Sequence, residues 1–377
     1  MKSESNTRKN NIKYRFRTPL LTISHRSYAL DDTADVSSLI DCAEGTDPYG
    51  FPDIAGQAIR EFDYSRLVDY PHAQEVYDAI SQYWKGQAKI IKENIILTDG
   101  SDGGMYLINN VFSRPGAVML GVMPQYIDFV NNAKLAGINY KGIPLDRDRG
   151  YSINADDLID AIDNEISIVY LDNPNNPTGQ LIDLEVVEGI LYKALMHNII
   201  VVVDEAYGDY VSKNESAIGL IRSYPNLIVM RSMSKGFGLA GIRAGYLVAS
   251  KNIMKYIRKL TTPYFLSDLT RDIITKVLST ENQIFVHSQK NSNYKQILRN
   301  NIGRGLHMAA TDDRVSICAL FHSDSEIDLR KEFAKEGINV VSGTDFDNAG
   351  QSFVRVRMPS ENYFQNLIRA VKNIDLL

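Results

Sequence analysis

The 377-residue sequence contains only two cysteines, and this scarcity limits the kinds of site it can build. Cys42 and Cys318 are far apart in the sequence and form no CxxC pair, so we expect neither a disulfide framework nor a zinc site. No other metal site is predicted. Sparse, unpatterned cysteine also favours a cytoplasmic protein.

Long apolar runs and an excess of positive charge are also missing. No apolar stretch is long enough to span a bilayer. The basic residues 1–18 have no apolar segment behind them, which argues against a secretory signal and predicts a flexible tail. A net charge of −5 offers no basic face for nucleic acid. We therefore expect no membrane and no nucleic-acid partner.

What the chain does contain, from about residue 90, is a regular alternation of short apolar runs and amphipathic stretches. Most runs are continuously apolar, as expected for strands buried on both faces. Helices are predicted at Ala155–Ile162, capped by Asn154, and at Leu184–Met196. The pattern predicts an α/β fold with a mostly parallel seven-stranded sheet flanked by helices. Its strands are Asn94–Thr98, Ala117–Val122, Asn139–Pro144, Ile166–Leu171, Ile199–Val203, Leu227–Met230 and Tyr246–Ala249.

The pattern changes after Ser250. Helices with many polar positions are predicted over 251–305, then short strands at 315–320, 338–341 and 353–358, and a last helix at Glu361–Ile374. These elements predict a smaller α+β domain. We divide the chain into the tail 1–18, an N-terminal segment 19–50 that joins the small domain, a large domain 51–260 and a small domain 261–377.

Five of the predicted strands end in polar residues. Ligands of a parallel sheet lie beyond the carboxyl ends of its strands. Each segment alone is also explained by a turn, a packing aromatic or a salt bridge, but together they meet at one edge of one sheet. The segments are Asp99 to Gly104, Met123 to Tyr126, Asp172 to Gly179, Asp204 to Tyr207, and Ser232 to Lys235.

One part of this edge suits an anion. Glycines that open a helix leave backbone N–H groups free for a phosphate. Ser232, Ser234 and Arg243 add hydroxyl donors and a positive charge.

The remaining residues suit a planar, electron-poor ring that carries an aldehyde. Asp204, after three valines, suits a cationic nitrogen, because an unpaired buried carboxylate is costly. Tyr126 is able to stack on such a ring, and Asn176 and Tyr207 are able to form hydrogen bonds with a ring oxygen. Lys235 suits Schiff-base formation. Pyridoxal 5′-phosphate has all of these parts.

Three motifs carry a family resemblance: "NPNNPTG", "VVVDEAY" and "SMSKGFGLAGIRAGY" occur in this order, with Asn176, Asp204 and Lys235 separated by 28 and 31 positions. With them the sequence resembles the fold-type I, class I/II aminotransferases over nearly the whole chain after the tail. "SKGFGLAGIRAGY", "TDGSDGG" and "DYPHAQ" are most similar to the histidinol-phosphate aminotransferase branch, which also includes threonine-phosphate decarboxylases.

The resemblance implies catalytic roles for Lys235, Asp204 and Tyr207. Lys235 would hold the cofactor as a Schiff base and shuttle the proton. Asp204 would pair with the ring nitrogen, while Tyr207 and Asn176 would hold the ring hydroxyl. Tyr126 would stack on the ring.

The resemblance also implies how the phosphate is held. Tyr70 would reach the phosphate of a neighbouring subunit, which implies a homodimer with shared sites; a loop aromatic is the other reading of this residue. Within one subunit the phosphate would be held by the backbone of Ser101, Asp102 and Gly103, together with Ser232, Ser234 and Arg243.

Substrate binding is implied for Arg355, which would hold the substrate carboxylate, for Asn176, and for Gly45 in an N-terminal loop that would close over the ligand. Arg357 lies two residues further on and so faces the same side of its strand. It would either read a second acidic group or form an exposed ion pair.

The sequence departs from the histidinol-phosphate branch at two places. Val341 replaces an arginine that helps to bind the substrate phosphate, and Ser342 and Phe346 resemble a segment of general amino-acid aminotransferases. The N-terminal "NENPYG"-like motif is altered to Gly45-Thr46-Asp47-Pro48-Tyr49-Gly50. These departures argue against histidinol phosphate and favour another amino-acid biosynthetic substrate.

The predicted reaction moves an amino group from an amino acid to a 2-oxo acid. The same residues also serve a decarboxylase or other chemistry at the substrate Cα, so this alternative stays open. A cofactor-binding regulatory module would need a DNA-binding domain in front, and the N-terminal residues show no helix-turn-helix pattern.

Overall fold

The computed structural model describes residues 16–24, 27, 39–72, 74–280 and 284–377. Residues 1–15 of the predicted tail lie outside these ranges. Within them, the helices are too short or too polar to cross a membrane.

The described residues form strands and helices in alternation along most of the chain. The strands are β1 (Ile40–Asp41), β2 (Ile95–Thr98), β3 (Val118–Met123), β4 (Asn139–Pro144), β5 (Ile168–Asp172), β6 (Ile200–Asp204), β7 (Leu227–Ser232), β8 (Gly245–Ala249), β9 (Leu306–Met308), β10 (Ile317–His322), β11 (Ile338–Asn339), β12 (Val341–Ser342) and β13 (Phe353–Arg357). The helices are α1 (Thr18–Thr22), α2 (Asp53–Glu61), α3 (Glu75–Tyr83), α4 (Gly100–Phe112), α5 (Ile127–Leu135), α6 (Ala155–Asp160), α7 (Leu184–Met196), α8 (Lys251–Ile257), α9 (Asp268–Ser279), α10 (Ile284–Arg299), α11 (Leu329–Lys335) and α12 (Glu361–Ile374).

The large sheet has seven strands in the order β2-β8-β7-β6-β5-β3-β4, and only β8 runs antiparallel to its neighbours. The predicted mostly parallel seven-stranded sheet is confirmed. Asn154 caps α6 by accepting the N–H of Asp156 at 3.2 Å, as predicted, although the helix ends two residues earlier than expected.

The strands at the centre of this sheet are buried on both faces. Val201 and Val203 of β6 belong to the hydrophobic core on one side of the sheet, and Val202 belongs to the core on the other. Burial of a valine side chain contributes about 1.5–3 kcal/mol. The apolar run therefore fixes β6 in the middle of the sheet and brings Asp204 to its carboxyl end.

A smaller antiparallel sheet, in the order β12-β13-β10-β9, forms in the second half of the chain. The N-terminal strand β1 pairs in parallel with β11, so the two ends of the chain share backbone hydrogen bonds. Helix α9 packs against α2 and α3, and its Ile273 and Val277 belong to the core of the large sheet. The residue boundaries of the two domains stay a prediction.

Candidate active site

One cavity lies at the carboxyl ends of the large sheet. It is lined by every residue that the sequence assigns to the cofactor except Gly103 and Tyr70. Strands β5, β6 and β7 each extend further than the apolar runs indicated, so that Asp172, Asp204 and Ser232 are the last residues of their strands. Parallel pairing then sets these three strand ends side by side.

Asp204 is a buried acid, 3% exposed, with few hydrogen-bond donors. Its Oδ1 accepts the N–H of Ala206 at 3.0 Å, and its Oδ2 accepts the hydroxyl of Tyr170 at 3.2 Å. Burial, and then the neighbouring carboxylate of Asp172, raise the pKa of Asp204 to about 7. A ligand that brought a cationic N–H to this carboxylate would relieve the cost of its charge.

Asp172 was not singled out as a site residue from the sequence. Its Oδ1 accepts from the side chains of Gln125 and Asn175, both at 2.9 Å, and its Oδ2 accepts the N–H groups of Tyr126 at 3.1 Å and Asn176 at 2.9 Å. Burial raises the pKa of Asp172 to about 6, and these hydrogen bonds oppose the rise. Asp172 thus fixes the two loops that carry Tyr126 and Asn176.

Tyr207 and Lys235 lie together under Gly45. The Lys235 Nζ is 5.4 Å from the centroid of the Tyr207 ring. The buried Tyr207 hydroxyl has no hydrogen-bond partner among the described residues. A Cβ on Gly45 would lie 2.9 Å from Lys235 Nζ and closer still to the Tyr207 hydroxyl, so only glycine fits this approach.

The anion-binding part of the cavity forms where α4 begins. Ser101 and Asp102 are in the first turn of this helix, whose unpaired N–H groups favour negative charge. Across from them, the Ser232 hydroxyl accepts the N–H of Ser234 at 3.1 Å. The Arg243 guanidinium completes this side and lies in the cavity lining.

The side chain of Asp102 ties two of the predicted cofactor residues together. Its Oδ1 accepts the hydroxyl of Tyr126 at 3.0 Å, and its Oδ2 pairs with Arg243 at 3.1 Å. The sequence had assigned only the backbone of this residue. Since both partners line the cavity, the carboxylate orients an aromatic ring and a cation toward the same ligand.

Gly103 and Tyr70 are not brought into the cavity of their own chain. A Cβ on Gly103 would collide with the carboxylate of Asp99, so this glycine lets Asp99 pack against the start of α4. Tyr70 is 72% exposed, and its ring stacks on Tyr264 with the centroids 4.8 Å apart. A role of Tyr70 at a cofactor therefore requires a second subunit.

Arg355, on β13 of the small sheet, contacts Asn176 of the cavity lining. It is 1% exposed, donates to Oδ1 of Asn176 at 3.0 Å and also donates to the carbonyl of Ala43. The structure thus joins Arg355, Asn176 and the segment before Gly45, as the substrate assignment requires.

Arg357 is engaged within the protein. Its guanidinium pairs with the carboxylate of Asp41 at 2.7 Å and donates from Nε to the carbonyl of Glu44 at 2.7 Å. Of the two alternatives for Arg357, the structure shows the ion pair. The expectation of an exposed pair is wrong for the arginine, whose side chain is 6% exposed, whereas that of Asp41 is 43% exposed. Its contacts hold the N-terminal segment and leave no guanidinium face for a second acidic group.

The model of the family described as "Aminotransferase class I and II" matches residues 48–371. A histidinol-phosphate aminotransferase from Thermoanaerobacter sp. (strain X514) is 34% identical over 238 residues, which cover 62% of this chain and 65% of that protein. Another, from Caldanaerobacter subterraneus, is 29% identical over 311 residues and covers 81% of this chain and 83% of that protein. The chain thus spans less than two thirds of the length of the Thermoanaerobacter relative.

Solved structures agree with this assignment. The histidinol-phosphate aminotransferase from Clostridium acetobutylicum superposes with a TM-score of 0.80 at 25% identity and covers 90% of this chain and 99% of its own. An aspartate aminotransferase from Rhizobium meliloti shares the fold, with a TM-score of 0.82 at 15% identity and 96% and 98% coverage. The family model extends over both sheets and the residues that line the cavity, which confirms the predicted resemblance: the chain belongs to the class I and II aminotransferase family.

Proposed function

We propose that the protein is a pyridoxal-phosphate-dependent aminotransferase, which moves an amino group between an amino acid and a 2-oxo acid. The observation that carries the proposal is the cavity in which Lys235, Asp204 and Tyr207 meet an anion-binding helix start. The names of the histidinol-phosphate aminotransferase relatives support it. So does the histidinol-phosphate aminotransferase from Sinorhizobium meliloti, whose structure is a complex with pyridoxal-5'-phosphate.

The polar groups left unsatisfied in the cavity fit this cofactor. Asp204 would accept the ring N–H, since its raised pKa reflects a buried charge with too few partners. The unpartnered Tyr207 hydroxyl would donate to the ring oxygen. The start of α4, with Ser232, Ser234 and Arg243, would hold the phosphate. When bound, pyridoxal phosphate supplies an electron sink that weakens the bonds at the substrate Cα.

The proton transfers belong to Lys235. Its Nζ would hold the cofactor covalently and, after a substrate amine displaces it, stand free as the general base that takes the Cα proton. The pairing of Asp204 would keep the ring nitrogen protonated throughout. Gly45 lies close to Nζ and would help to keep water from the position where the proton moves.

Arg355 selects which bond at Cα breaks. Its planar fork would bind the substrate carboxylate through two hydrogen bonds. The Asn176 contact and the Ala43 carbonyl hold the guanidinium in one place, so the carboxylate is held in one orientation. With the carboxylate engaged there, the Cα proton is the group presented to Lys235, and transamination is favoured over loss of carbon dioxide.

A half-reaction tests this proposal. The purified protein with bound cofactor is mixed with single amino acids and no oxo-acid acceptor, and absorbance and carbon dioxide are followed. Conversion of the cofactor to pyridoxamine phosphate with release of the 2-oxo acid is the expected result. Release of carbon dioxide with the cofactor unchanged would replace the proposal by a decarboxylase.

The amino-acid substrate is decided by the same experiment. The relatives are named for histidinol phosphate, whereas Val341 stands where the resemblance to the histidinol-phosphate branch implies a phosphate-binding arginine. We propose a biosynthetic amino-acid substrate other than histidinol phosphate. The panel therefore includes histidinol phosphate beside phosphorylated, aromatic and acidic amino acids, and rapid conversion with histidinol phosphate would refute this choice.

We further propose a homodimer in which Tyr70 reaches the site of the partner. The exposed surface around Tyr70 also carries Val68, Tyr264 and Phe265, an apolar patch suited to a partner chain. Mixing the inactive variants Tyr70→Ala and Lys235→Ala tests it. A mixed dimer regains one complete site only if Tyr70 acts in the other subunit, and a mixture that stayed inactive would contradict the proposal.

We propose a cytoplasmic location because both cysteines are free thiols. Cys42 and Cys318 are free and buried. Burial raises the pKa of Cys42 to about 12 and that of Cys318 to about 11, so both stay protonated and unreactive. Cell fractionation checks this location.

A further inference from the structure

Residues 41–50, here called the roof segment, lie against one part of the cavity lining. Gly45 lies against Lys235 and Tyr207, and the carbonyl of Gly50 packs against Gly238 in the loop after Lys235. The roof segment therefore touches the reactive amine and the loop that carries it.

The first half of the roof segment is held by the small sheet. Arg357 donates to the carbonyl of Asp41 and, at 2.7 Å, to that of Glu44, while Arg355 donates to that of Ala43. These contacts act on backbone groups, so they fix residues 41–44 whatever their side chains.

In the second half, Asp47 is the side chain with the most hydrogen bonds, and Tyr49 adds one from its hydroxyl to Oδ1 of Asn291 at 3.4 Å. The Oδ1 of Asp47 accepts the N–H of Tyr49 at 2.8 Å, and its Oδ2 accepts from the Tyr210 hydroxyl at 3.0 Å and from Nδ1 of His287 at 3.1 Å. The side chain of Asp47 is 0% exposed and that of His287 is 15% exposed. A buried carboxylate with three donors is a strong anchor, because loss of any donor leaves the others around poorly paired charge.

The imidazole of His287 is itself fixed by packing. Its ring lies 4.8 Å from the ring of Tyr49, which belongs to the roof segment. His287 lies on α10, whereas Tyr210 follows β6 in the large domain. Asp47 thus connects the roof segment to two elements that also contact each other, since the Ser288 hydroxyl of α10 donates to the carbonyl of Tyr210 at 2.7 Å.

We propose that Asp47 is a positioning residue, and that its contacts with His287 and Tyr210 hold the roof segment over Lys235 and thereby set the affinity for the amino-acid substrate. This inference rests on the proposed aminotransferase function. The groups that would bind the cofactor lie on the strand ends and α4, and Asp47 touches none of them. Closure over the substrate depends on the roof segment, and a loosened roof is expected to weaken substrate binding more than it slows proton transfer.

The first test is hydrogen–deuterium exchange of the cofactor-bound protein without substrate. In His287→Ala, exchange in peptides covering residues 41–50 is expected to rise about tenfold. His287→Asn keeps an N–H donor near the position of Nδ1 and is expected to restore protection. His197→Ala is the matched control, because His197 lies just before β6, at the end of the large sheet away from the cavity. This variant should leave exchange in these peptides unchanged.

The second test separates KM from kcat in the half-reaction. His287→Ala is expected to raise KM for the amino acid about tenfold, with kcat within about twofold of the parent and the cofactor absorbance unchanged. Tyr210→Phe removes one of the three donors and keeps the ring, so it should give a smaller rise in KM.

Unchanged exchange of residues 41–50 in both His287→Ala and Tyr210→Phe would overturn the inference. An equal loss of kcat, cofactor binding and thermal stability would also overturn it, because that pattern describes a merely structural contact. The exchange measurement needs no substrate. A protein that converted no amino acid would therefore refute the proposed function, while exchange would still decide whether Asp47 holds the roof segment.

Discussion

The two walls of the cavity are built from contacts of very different sequence separation. On the wall formed by the strand ends, here called the cofactor wall, Asp204 accepts from Ala206 and Ser232 accepts from Ser234, two residues away in each case. Contacts between its motifs are longer, such as that of Asp102 with Arg243, which spans 141 residues. On the roof segment, Asp47 meets His287 at a separation of 240 residues. One wall is assembled from short motifs, and the other requires the ends of the chain to meet.

This difference assigns separate tasks to the two walls. The cofactor wall takes shape once the central strands of the large sheet pair, since each motif is attached to a strand end. The roof segment depends on β1, β13 and α10 coming together over that sheet. We therefore expect changes in the cofactor wall to affect cofactor binding and kcat, and changes in the roof segment to affect KM.

The largest effect is expected at Lys235. Lys235→Ala removes the amine that holds the cofactor and moves the proton, so turnover should fall at least about a thousandfold. Absorbance after borohydride treatment measures the loss of covalently held cofactor. Lys141→Ala, an exposed lysine of β4, is the control and should behave as the parent. Turnover retained in Lys235→Ala would contradict the assignment of catalysis to the cofactor wall.

Asp204→Asn comes next. The amide has the same shape but lacks the charge that pairs with a protonated ring nitrogen. Losing one partner of a buried ion pair costs about 3–5 kcal/mol, which corresponds to a loss in kcat of about two to four orders of magnitude. Steady-state kinetics measure it, with the exposed Asp157→Asn as control. A KM change with normal kcat would contradict the role of the cofactor wall.

The separation of contacts also explains what the sequence could predict. The sheet and the cofactor wall could be derived because apolar runs and the polar residues that follow them are adjacent in the chain. The acceptor role of Asp172 was missed because its position at the end of an apolar run does not show which N–H groups will face it. The signal was present, since Asp172 directly precedes "NPNNPTG".

The roof segment could not be predicted in the same way. The pairing of Arg357 with Asp41 joins residues 316 positions apart and exists only because the backbones of residues 41–42 and β13 meet. The contact of Asp47 with His287 likewise requires α10 to lie beside residues 45–50. Spacing in the sequence does not show which distant residues will be in contact. The altered N-terminal motif could therefore be recognised, but His287, the partner of its Asp47, could not.

Arg355→Lys tests the junction between the two walls. Lysine keeps the charge but not the planar fork, so one charge-assisted hydrogen bond to the substrate carboxylate is lost. A loss of about 1.5–3 kcal/mol predicts a rise in KM of about ten- to a hundredfold. Half-reaction kinetics measure this rise, and the exposed Arg369→Lys of α12 serves as control. An unchanged KM would remove Arg355 from the substrate site.

Gly45→Ala perturbs the roof segment directly. The added methyl would sit 2.9 Å from Lys235 Nζ, within the range where a neighbour must shift. Overpacking costs about 1–3 kcal/mol, so kcat/KM should fall about tenfold while cofactor affinity stays near that of the parent. Gly86→Ala, where a Cβ would meet open space, is the matched control. An equal loss of kcat/KM in both variants would show that the contact of Gly45 with Lys235 does not matter for the reaction.

The smallest expected effect is the pH dependence that Asp204 of the cofactor wall contributes to the free energy of unfolding. The pKa of Asp204 is raised to about 7 from the ordinary 3.8, mainly by burial. Between these values the folded cofactor-free protein binds more protons than the unfolded chain, so its stability falls as pH rises, by about 1 kcal/mol from pH 5.5 to 6.5. Asp172, with its pKa raised to about 6, adds a change of the same sign. The measurement is therefore the difference in urea unfolding between the parent and Asp204→Asn, which should have the flatter profile. Added cofactor should also flatten the profile of the parent, because the ring N–H of the cofactor would pair with the Asp204 carboxylate. Identical slopes in all three samples would show that Asp204 does not cause the pH dependence.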